Sequence, residues 1–133
     1  MAKTFTAPFA QTPQRIAAKV TTAHTTLESA TNAVLAFTAG ADGALVTRLA
    51  FNPTESTAGA GVAYAYRSDD GSTLYLAEAQ AVASDTLSTT DAPARILFSP
   101  SETSPWRLKA SERLYVAFSL TKTGTFTGDA VDF

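Results

Sequence analysis

Cysteine is absent from the 133-residue sequence, and its absence excludes disulfide bonds, thiolate catalysis and metal centres with cysteine ligands. Histidine is almost absent as well, since His24 is the only one. A metal site built on a pair of histidines therefore has no second ligand of this type. The stability of the chain must come from packing or from assembly with other chains.

Charged side chains are scarce, and the two signs nearly balance. They make up 17% of the residues, against about 25% in an ordinary globular domain. The ten basic and twelve acidic residues are scattered, which leaves no positive patch for nucleic acid or for an anionic membrane. Threonine, serine and alanine are expected to fill the surface, a composition compatible both with contact against other protein and with a Thr-rich monomer.

Long hydrophobic runs are missing too. The apolar runs have the length of a strand, far below the roughly 20 residues that span a bilayer. The opening stretch MAKTFTAPFAQTPQR has no continuous apolar segment, so we do not expect a secretory signal. These features predict a protein that is made and kept in a cytoplasm until it is assembled or released.

Alternation of apolar and polar residues is the main pattern that is present. In the clearest strand, RLYVAFSL, four apolar residues are predicted to share one face: Leu114, Val116, Phe118 and Leu120. Eight or nine such short segments, with no helical pattern of useful length, predict an all-β fold. We expect an antiparallel β-sandwich, jelly-roll-like or immunoglobulin-like, and the pattern leaves its strand order open.

Two further strands carry expectations about their faces. In ALVTRLAF, the alternation predicts Leu45, Leu49 and Phe51 on one face. In GVAYAYR, the small residues Ala63 and Ala65 are predicted to lie under another sheet or beneath a partner chain. The opposite face of that strand carries the larger side chains: Val62, Tyr64 and Tyr66.

The first 14 residues differ in character from the rest. Pro8 and Pro13 block regular hydrogen-bonded structure, and Phe5 and Phe9 stand between polar residues. The sequence predicts an extended N-terminal arm over residues 1–14, followed by one domain over residues 15–133. Because exposed phenylalanines are costly, we expect them to dock on the body or on a neighbouring subunit.

The most charged stretch is YRSDDGSTLYL, in which Asp69, Asp70 and Gly71 lie between two apolar runs. If Gly71 is placed at the sixth position of a calcium loop, Tyr66 and Ala77 occupy the first and last ligand positions, so both end ligands are missing. Asp-Gly between alternating runs is instead a strong hairpin signal. We expect a hairpin turn whose tip is a natural contact point.

No other motif predicts chemistry. His24 lies in the polar stretch TTAHTTLES and is expected to be an ordinary surface or loop histidine, because no GxSxG nucleophile accompanies it. Most carboxylates lie beside turn residues, and nothing selects an acid/base pair among them. The GAG at residues 59–61 lacks the rest of a dinucleotide fingerprint. We therefore expect no cofactor and no enzymatic activity.

The aromatic residues allow two interpretations. A stacking platform for sugars or bases would use exposed rings, whereas a core or a subunit interface would bury them. Tyr64 and Tyr66 share a face with Val62, and Trp106 shares one with Leu108, which favours core or interface. The remaining candidates are Tyr75 and Tyr115.

Two blocks of the sequence resemble a group of small proteins from tailed bacteriophages. The first is KTFTAPFAQTPQ with the later NAVLAFTAGADGALVTRLAF, and the second is SETSPWRLKASERLYVAFSL with a chain end in VDF. The group has a TAPFAQTP-like start, an AGADG-like turn, a mid-chain hairpin with an Asp-Gly tip, and a penultimate strand like Leu-x-x-Gly-Asp-Arg-Leu-Tyr-Val. Here Ser111 and Glu112 stand where the group tends to have Gly and Asp, which bears on the geometry of that turn.

The resemblance implies a virion component, a capsid decoration (cement) protein on the outer surface of the head, made in the cytoplasm of the host bacterium. Its implied partners are the major capsid protein and further copies of itself, with a trimer as the first expectation and with no nucleic acid or membrane. The predicted contacts with these partners lie in the arm, the hairpin tip and the chain end: Phe5, Pro8, Phe9, Asp69, Asp70 and Phe133.

Two other functions remain open at the level of sequence. A tail-associated or head-fibre module could recognise a host surface glycan through its aromatic loops. A hydrolase built from scattered carboxylates is the third hypothesis and has the least support.

Overall fold

The computed structural model describes residues 11–27, 32–92 and 95–133. These ranges contain nine β-strands and no helix, and so no helix that could cross a membrane. The strands are β1 (Thr12–Val20), β2 (Val34–Thr38), β3 (Ala44–Pro53), β4 (Gly61–Ser68), β5 (Tyr75–Val82), β6 (Ile96–Leu97), β7 (Trp106–Leu108), β8 (Arg113–Phe118) and β9 (Gly124–Asp132). Every pair is antiparallel, which confirms the predicted all-β sandwich.

The pairing is nested, so the chain forms one long hairpin that is rolled into two sheets. β1 pairs with β9, β2 with β8, β3 with both β6 and β7, and β4 with β5. One sheet has the order β1-β9-β3-β6, with β7 also beside β3, and the other has the order β2-β8-β4-β5. An immunoglobulin sandwich would keep its first two strands in one sheet. Here β1 and β2 lie in different sheets, and the order is that of a jelly roll.

Strand β1 begins at Thr12, inside the range predicted for the arm. Pro13 lies opposite Val131 of β9, and β1 is an edge strand, where a residue without an N–H is tolerated. The rest of the predicted arm, including Phe5, Pro8 and Phe9, lies outside the described residues. The arm therefore stays a prediction, and its range can extend no further than residue 11.

The core lies between the two sheets and is built from their inner faces. Leu114, Val116 and Phe118 are fully buried, as the alternation in β8 predicts, and Leu120 packs against the same cluster. The ring of Phe51 connects the sheets, because its centroid lies 4.8 Å from that of Phe118 and 4.7 Å from that of Phe126. Burying one such aromatic ring contributes about 1.5–3 kcal/mol.

The small face of β4 lies inside the sandwich. Ala63 and Ala65 are both 0% exposed and belong to the core, so the predicted position under another sheet is confirmed. Their small size admits the large side chains of the facing sheet. The opposite face of β4 carries Tyr64 and Tyr66 and belongs to a second cluster on the outside of the β2-β8-β4-β5 sheet.

The predicted face of β3 is wrong in its first half. The register with β9 shifts between Val46 and Arg48, which marks a β-bulge. A bulge inserts one residue and reverses the alternation, so Val46 faces the core before it and Leu49 after it. Leu45 is consequently only partly buried and does not share a face with Leu49.

Candidate functional site

The β4–β5 hairpin confirms the predicted turn at the acidic stretch. Residues 69–74 connect the two paired strands, and Gly71 has a φ of +81°. Residues other than glycine rarely adopt this backbone conformation. The main-chain N–H of Gly71 donates to the Ser68 hydroxyl at 2.9 Å. The hairpin tip is therefore defined here as residues 69–74.

Both carboxylates of the hairpin tip bind groups of their own chain. Asp70 Oδ1 accepts hydrogen bonds from the N–H groups of Ser72 and Thr73, each at 2.8 Å. These bonds stabilise the charged form and hold the pKa of Asp70 below its usual range. Asp69 pairs with the ammonium group of Lys109 at 3.0 Å, across the surface. Within the described ranges, no group of three or more His, Cys, Asp or Glu side chains is placed to hold a metal ion.

We expect Asp70→Asn to weaken the protein at neutral pH more than at acid pH. The native state lowers the pKa of Asp70, so the charged carboxylate stabilises folding above the ordinary range near 4, and that contribution is lost as the pH falls through the lowered pKa. Melting temperatures from pH 7 to pH 2.5 should show a gap between wild type and Asp70→Asn that closes on acidification. Asp42→Asn, at another exposed turn, is the matched control, and an equal pH-dependent gap there would contradict the assignment.

The hairpin tip lies against its own sheet as well as facing solvent. A Cβ placed on Gly71 would be 2.9 Å from Nη1 of Arg113 and 3.2 Å from the hydroxyl of Tyr115, both on β8. Nη1 of Arg113 is buried and has no hydrogen-bond partner in the described part of the chain. The tip therefore covers the end of β8, and Gly71 is needed for this close approach as well as for its backbone conformation.

His24 is buried, so the prediction of an ordinary surface or loop histidine is wrong in its exposure. His24 is 1% exposed in the loop after β1. Its main-chain N–H donates to the carbonyl of Phe118 at 2.8 Å. Its Nε2 lies 3.0 Å from the hydroxyl of Tyr66, and the ring of Tyr64 packs edge-on at 5.8 Å. Burial raises the pKa of Tyr66 to about 12, which keeps the phenol protonated. The cluster fixes the loop against the outside of the sheet.

The aromatic residues mostly follow the core-or-interface interpretation. Tyr66 is fully buried, and Tyr64 and Tyr115 are partly buried around it. Trp106 packs against the main core. Tyr75 is the exception, with 63% of its surface exposed at the start of β5.

A partly buried ion pair that the sequence did not predict joins β4 to the segment before β8, with Arg67 34% exposed and Glu112 buried. Arg67 of β4 donates to both carboxylate oxygens of Glu112, at 2.6 and 3.2 Å, and to the carbonyl of Arg107 on β7. Glu112 is 7% exposed and also accepts the N–H of Lys109 at 3.0 Å. Ser111 before it has a φ of +61°. This pair is the most enclosed of the ion pairs among the described residues, because the side chains of Asp69 and Asp129 in the other two pairs are more than half exposed.

The chain end is anchored but not covered. The N–H of Phe133 donates to the carbonyl of Gly43 at 3.1 Å, and the guanidinium of Arg107 lies 5.6 Å from the centre of the Phe133 ring. The ring itself is 37% exposed. The structure therefore places Phe133 and the hairpin tip at the surface, as contact residues require, without showing what they contact.

An open groove crosses the outer face of the sheet formed by β1, β9 and β3. It has a volume of about 720 Å³ and runs from Pro13 and Gln14 to the loop at residues 97–102. The ion pair between Arg48 Nε and Asp129 Oδ2, 3.1 Å long, lies on its floor. The carboxylate of Asp129 is thus already paired with the Arg48 guanidinium. The groove offers a shallow surface for contact.

Exposed apolar side chains are spread over strands and loops. Six large ones are exposed among the described residues: Leu27, Leu35, Tyr75, Leu76, Leu97 and Phe133. Two of them lie on β5, whose residues from Tyr75 to Ala81 are exposed or only partly buried. Singly scattered apolar side chains are normal on a folded domain, so Tyr75 and Leu76 of β5 are the one local concentration among these six.

Comparison with known proteins gives little further information. No protein-family model matches the sequence, and no curated protein matches it. Among solved structures, the chain is similar to a chain in the structure of infectious bursal disease virus Gt strain, with 15% sequence identity and a TM-score of 0.31. The match covers 89% of this chain and 31% of the viral chain, so this chain spans about a third of the length of the protein it matches.

Proposed function

We propose that this chain is a structural component of a bacteriophage virion, a decoration protein that binds the outer surface of the head and stabilises it by bridging major capsid protein subunits. It acts without catalysis, and its partners are the major capsid protein and further copies of itself. The jelly-roll strand order is the observation that carries this proposal, because jelly rolls serve as capsid domains and as lectins.

Three features of the molecule support a role in binding to broad surfaces. Its low charge leaves few groups to desolvate when two protein surfaces meet. Its carboxylates at the hairpin tip are already used within the chain. The start of β1 borders an open groove, so a segment that precedes Thr12 leaves the sandwich beside a surface able to receive protein.

The test is binding of the purified full chain to heads of the phage that encodes it. Decoration predicts cosedimentation with heads and density over the whole head surface in cryo-electron microscopy. A few copies at a tail or fibre tip would instead support the glycan-binding module. Absence from the particle, or heads that are no more stable to heat with the protein than without it, would overturn the proposal.

A truncation tests the role of the arm. Removing residues 2–10 leaves β1 intact, since that strand begins at Thr12, so we expect a folded protein whose affinity for heads falls by at least about tenfold, the effect of losing 1.4 kcal/mol. Phe5→Ala together with Phe9→Ala should account for most of this loss. Ala17→Lys, an exposed change on β1, is the control, and full binding by the truncated chain would contradict a role for the arm.

A further inference from the structure

Strand β5 has one side free of any partner in the described structure. In the order β2-β8-β4-β5 it pairs with β4 alone. The opposite edge strand, β2, packs beside β1 of the facing sheet, whereas β5 approaches that sheet mainly at the two-residue β6. An uncovered edge presents N–H and C=O groups that can pair with another strand.

The hydrogen bonds of Val62 show which main-chain groups of β5 point outward. The N–H of Val62 donates to Oγ of Ser119 at 2.8 Å and its carbonyl accepts the Ser119 N–H at 3.0 Å, so both groups of Val62 point away from β5. In an antiparallel ladder, the residue of β5 opposite Val62 then also turns its N–H and C=O away from β4. Ala81 lies opposite Val62, and Ala79 lies opposite Tyr64. Both alanines therefore present their main-chain groups at the open edge.

The side chains of β5 leave this edge accessible. Glu78 is the only charged residue of the strand, and its carboxylate is held by the N–H of Ser99 at 3.0 and 3.1 Å and by the side-chain amide of Gln80. Ala79 and Ala81 are exposed and add only a methyl group. Edge strands are commonly protected by lysine or proline, and β5 contains neither. Its bulge lies near Ala77, so residues 78–82 form a regular segment.

We propose that β5 pairs antiparallel with β5 of a second copy of this chain, about a two-fold axis at Gln80. Ala79 then lies opposite Ala81 of the partner subunit, and the two such pairs exchange four main-chain hydrogen bonds. The two four-stranded sheets become one continuous sheet. This inference rests on the self-association that is part of the proposed function.

Symmetry and charge favour a second copy over another occupant. A two-fold contact brings the same patch of both subunits together, so the patch must be complementary to itself. In this register Glu78 lies opposite Val82 of the partner subunit. The two Glu78 side chains are four residues apart along the strands, about 14 Å, which exceeds the Debye length of about 8 Å. Because each chain carries a net charge of −2, two copies approach at lowest cost through an edge whose single carboxylate is already hydrogen-bonded within its own chain.

Sedimentation equilibrium of the purified full chain tests the pairing. We expect a mass of twice 13.9 kDa for wild type at high concentration. Ala81→Pro removes an N–H that points away from β4, so it should yield a monomer with an unchanged circular dichroism spectrum. Ala81→Lys places a charge at the edge and should have the same effect, which keeps the test decisive if the proline variant fails to fold.

Two further measurements complete the design. Ala17→Lys adds the same charge to an exposed alanine on the edge strand of the other sheet and should keep the wild-type mass. Amide hydrogen exchange should be slow at Ala79 and Ala81 in wild type and fast in Ala81→Lys. A monomeric wild type, a trimeric mass, or a dimer that survives both Ala81 substitutions would overturn the inference. Binding to heads is measured separately: a monomer that binds heads refutes only the pairing, and a dimer that does not bind refutes only the proposed function.

Discussion

Glu112→Ala should lower the free energy of unfolding by about 1.5–3 kcal/mol, since it removes charge-assisted hydrogen bonds while the Arg67 side chain, 34% exposed, stays partly hydrated. The carboxylate accepts two hydrogen bonds from Arg67 and one from the N–H of Lys109, and it is 7% exposed. Without it, the Arg67 guanidinium keeps only the Arg107 carbonyl as a hydrogen-bond partner among the described residues. Urea denaturation with an unchanged m value would measure the loss.

Asp129→Ala provides the matched comparison. Asp129 also pairs with an arginine, Arg48, at 3.1 Å, but its side chain is 61% exposed. Exposed pairs contribute about 0–1 kcal/mol, because water and salt screen them. Similar losses for Glu112→Ala and Asp129→Ala would show that burial of the Arg67–Glu112 pair does not matter.

Gly128→Ala is expected to cost about 3 kcal/mol, at the upper end of the penalties for overpacking. Gly128 of β9 lies opposite Leu49, just after the bulge in β3, where a Cβ would stand 2.1 Å from the carbonyl oxygen of Arg48. A main-chain atom cannot move aside as a flexible side chain would, so the strands must separate. The loss should appear as a lower midpoint in thermal and urea unfolding.

Gly59→Ala is the control for this substitution. No atom lies within 4 Å of a Cβ placed there, so the added methyl meets open space. The change should be neutral, or stabilising by about 0.4–1 kcal/mol through the unfolded state. If Gly128→Ala is as well tolerated as Gly59→Ala, the close approach of β9 to β3 is wrong.

Local alternation predicted most of the strands, because each strand has one face toward a shared core. It worked best for β8, which lies between β2 and β4 and has its inner face in the core. It failed at the β3 bulge, since an inserted residue changes the geometry without changing the apolar pattern. The nested strand order depends on pairs such as Thr12 with Asp132, far apart in the sequence, and no local pattern records them.

The functional surfaces were predicted less completely than the strands. The hairpin tip followed from turn chemistry, which is local. His24 was misjudged because its neighbours in sequence are polar, whereas its neighbours in space are Tyr64 and Tyr66. Ser111 has a φ of +61°, a conformation that glycine adopts more easily.

The pairing of the first strand with the last has a practical consequence for experiments. Because Thr12 lies opposite Asp132, both ends of the described chain leave the sandwich at one corner. A purification tag fused after Phe133 would therefore lie close to the segment that precedes β1, and it would interfere with any test of that segment's role. The loop around Gly59, where an added side chain meets open space, is the better place for a label.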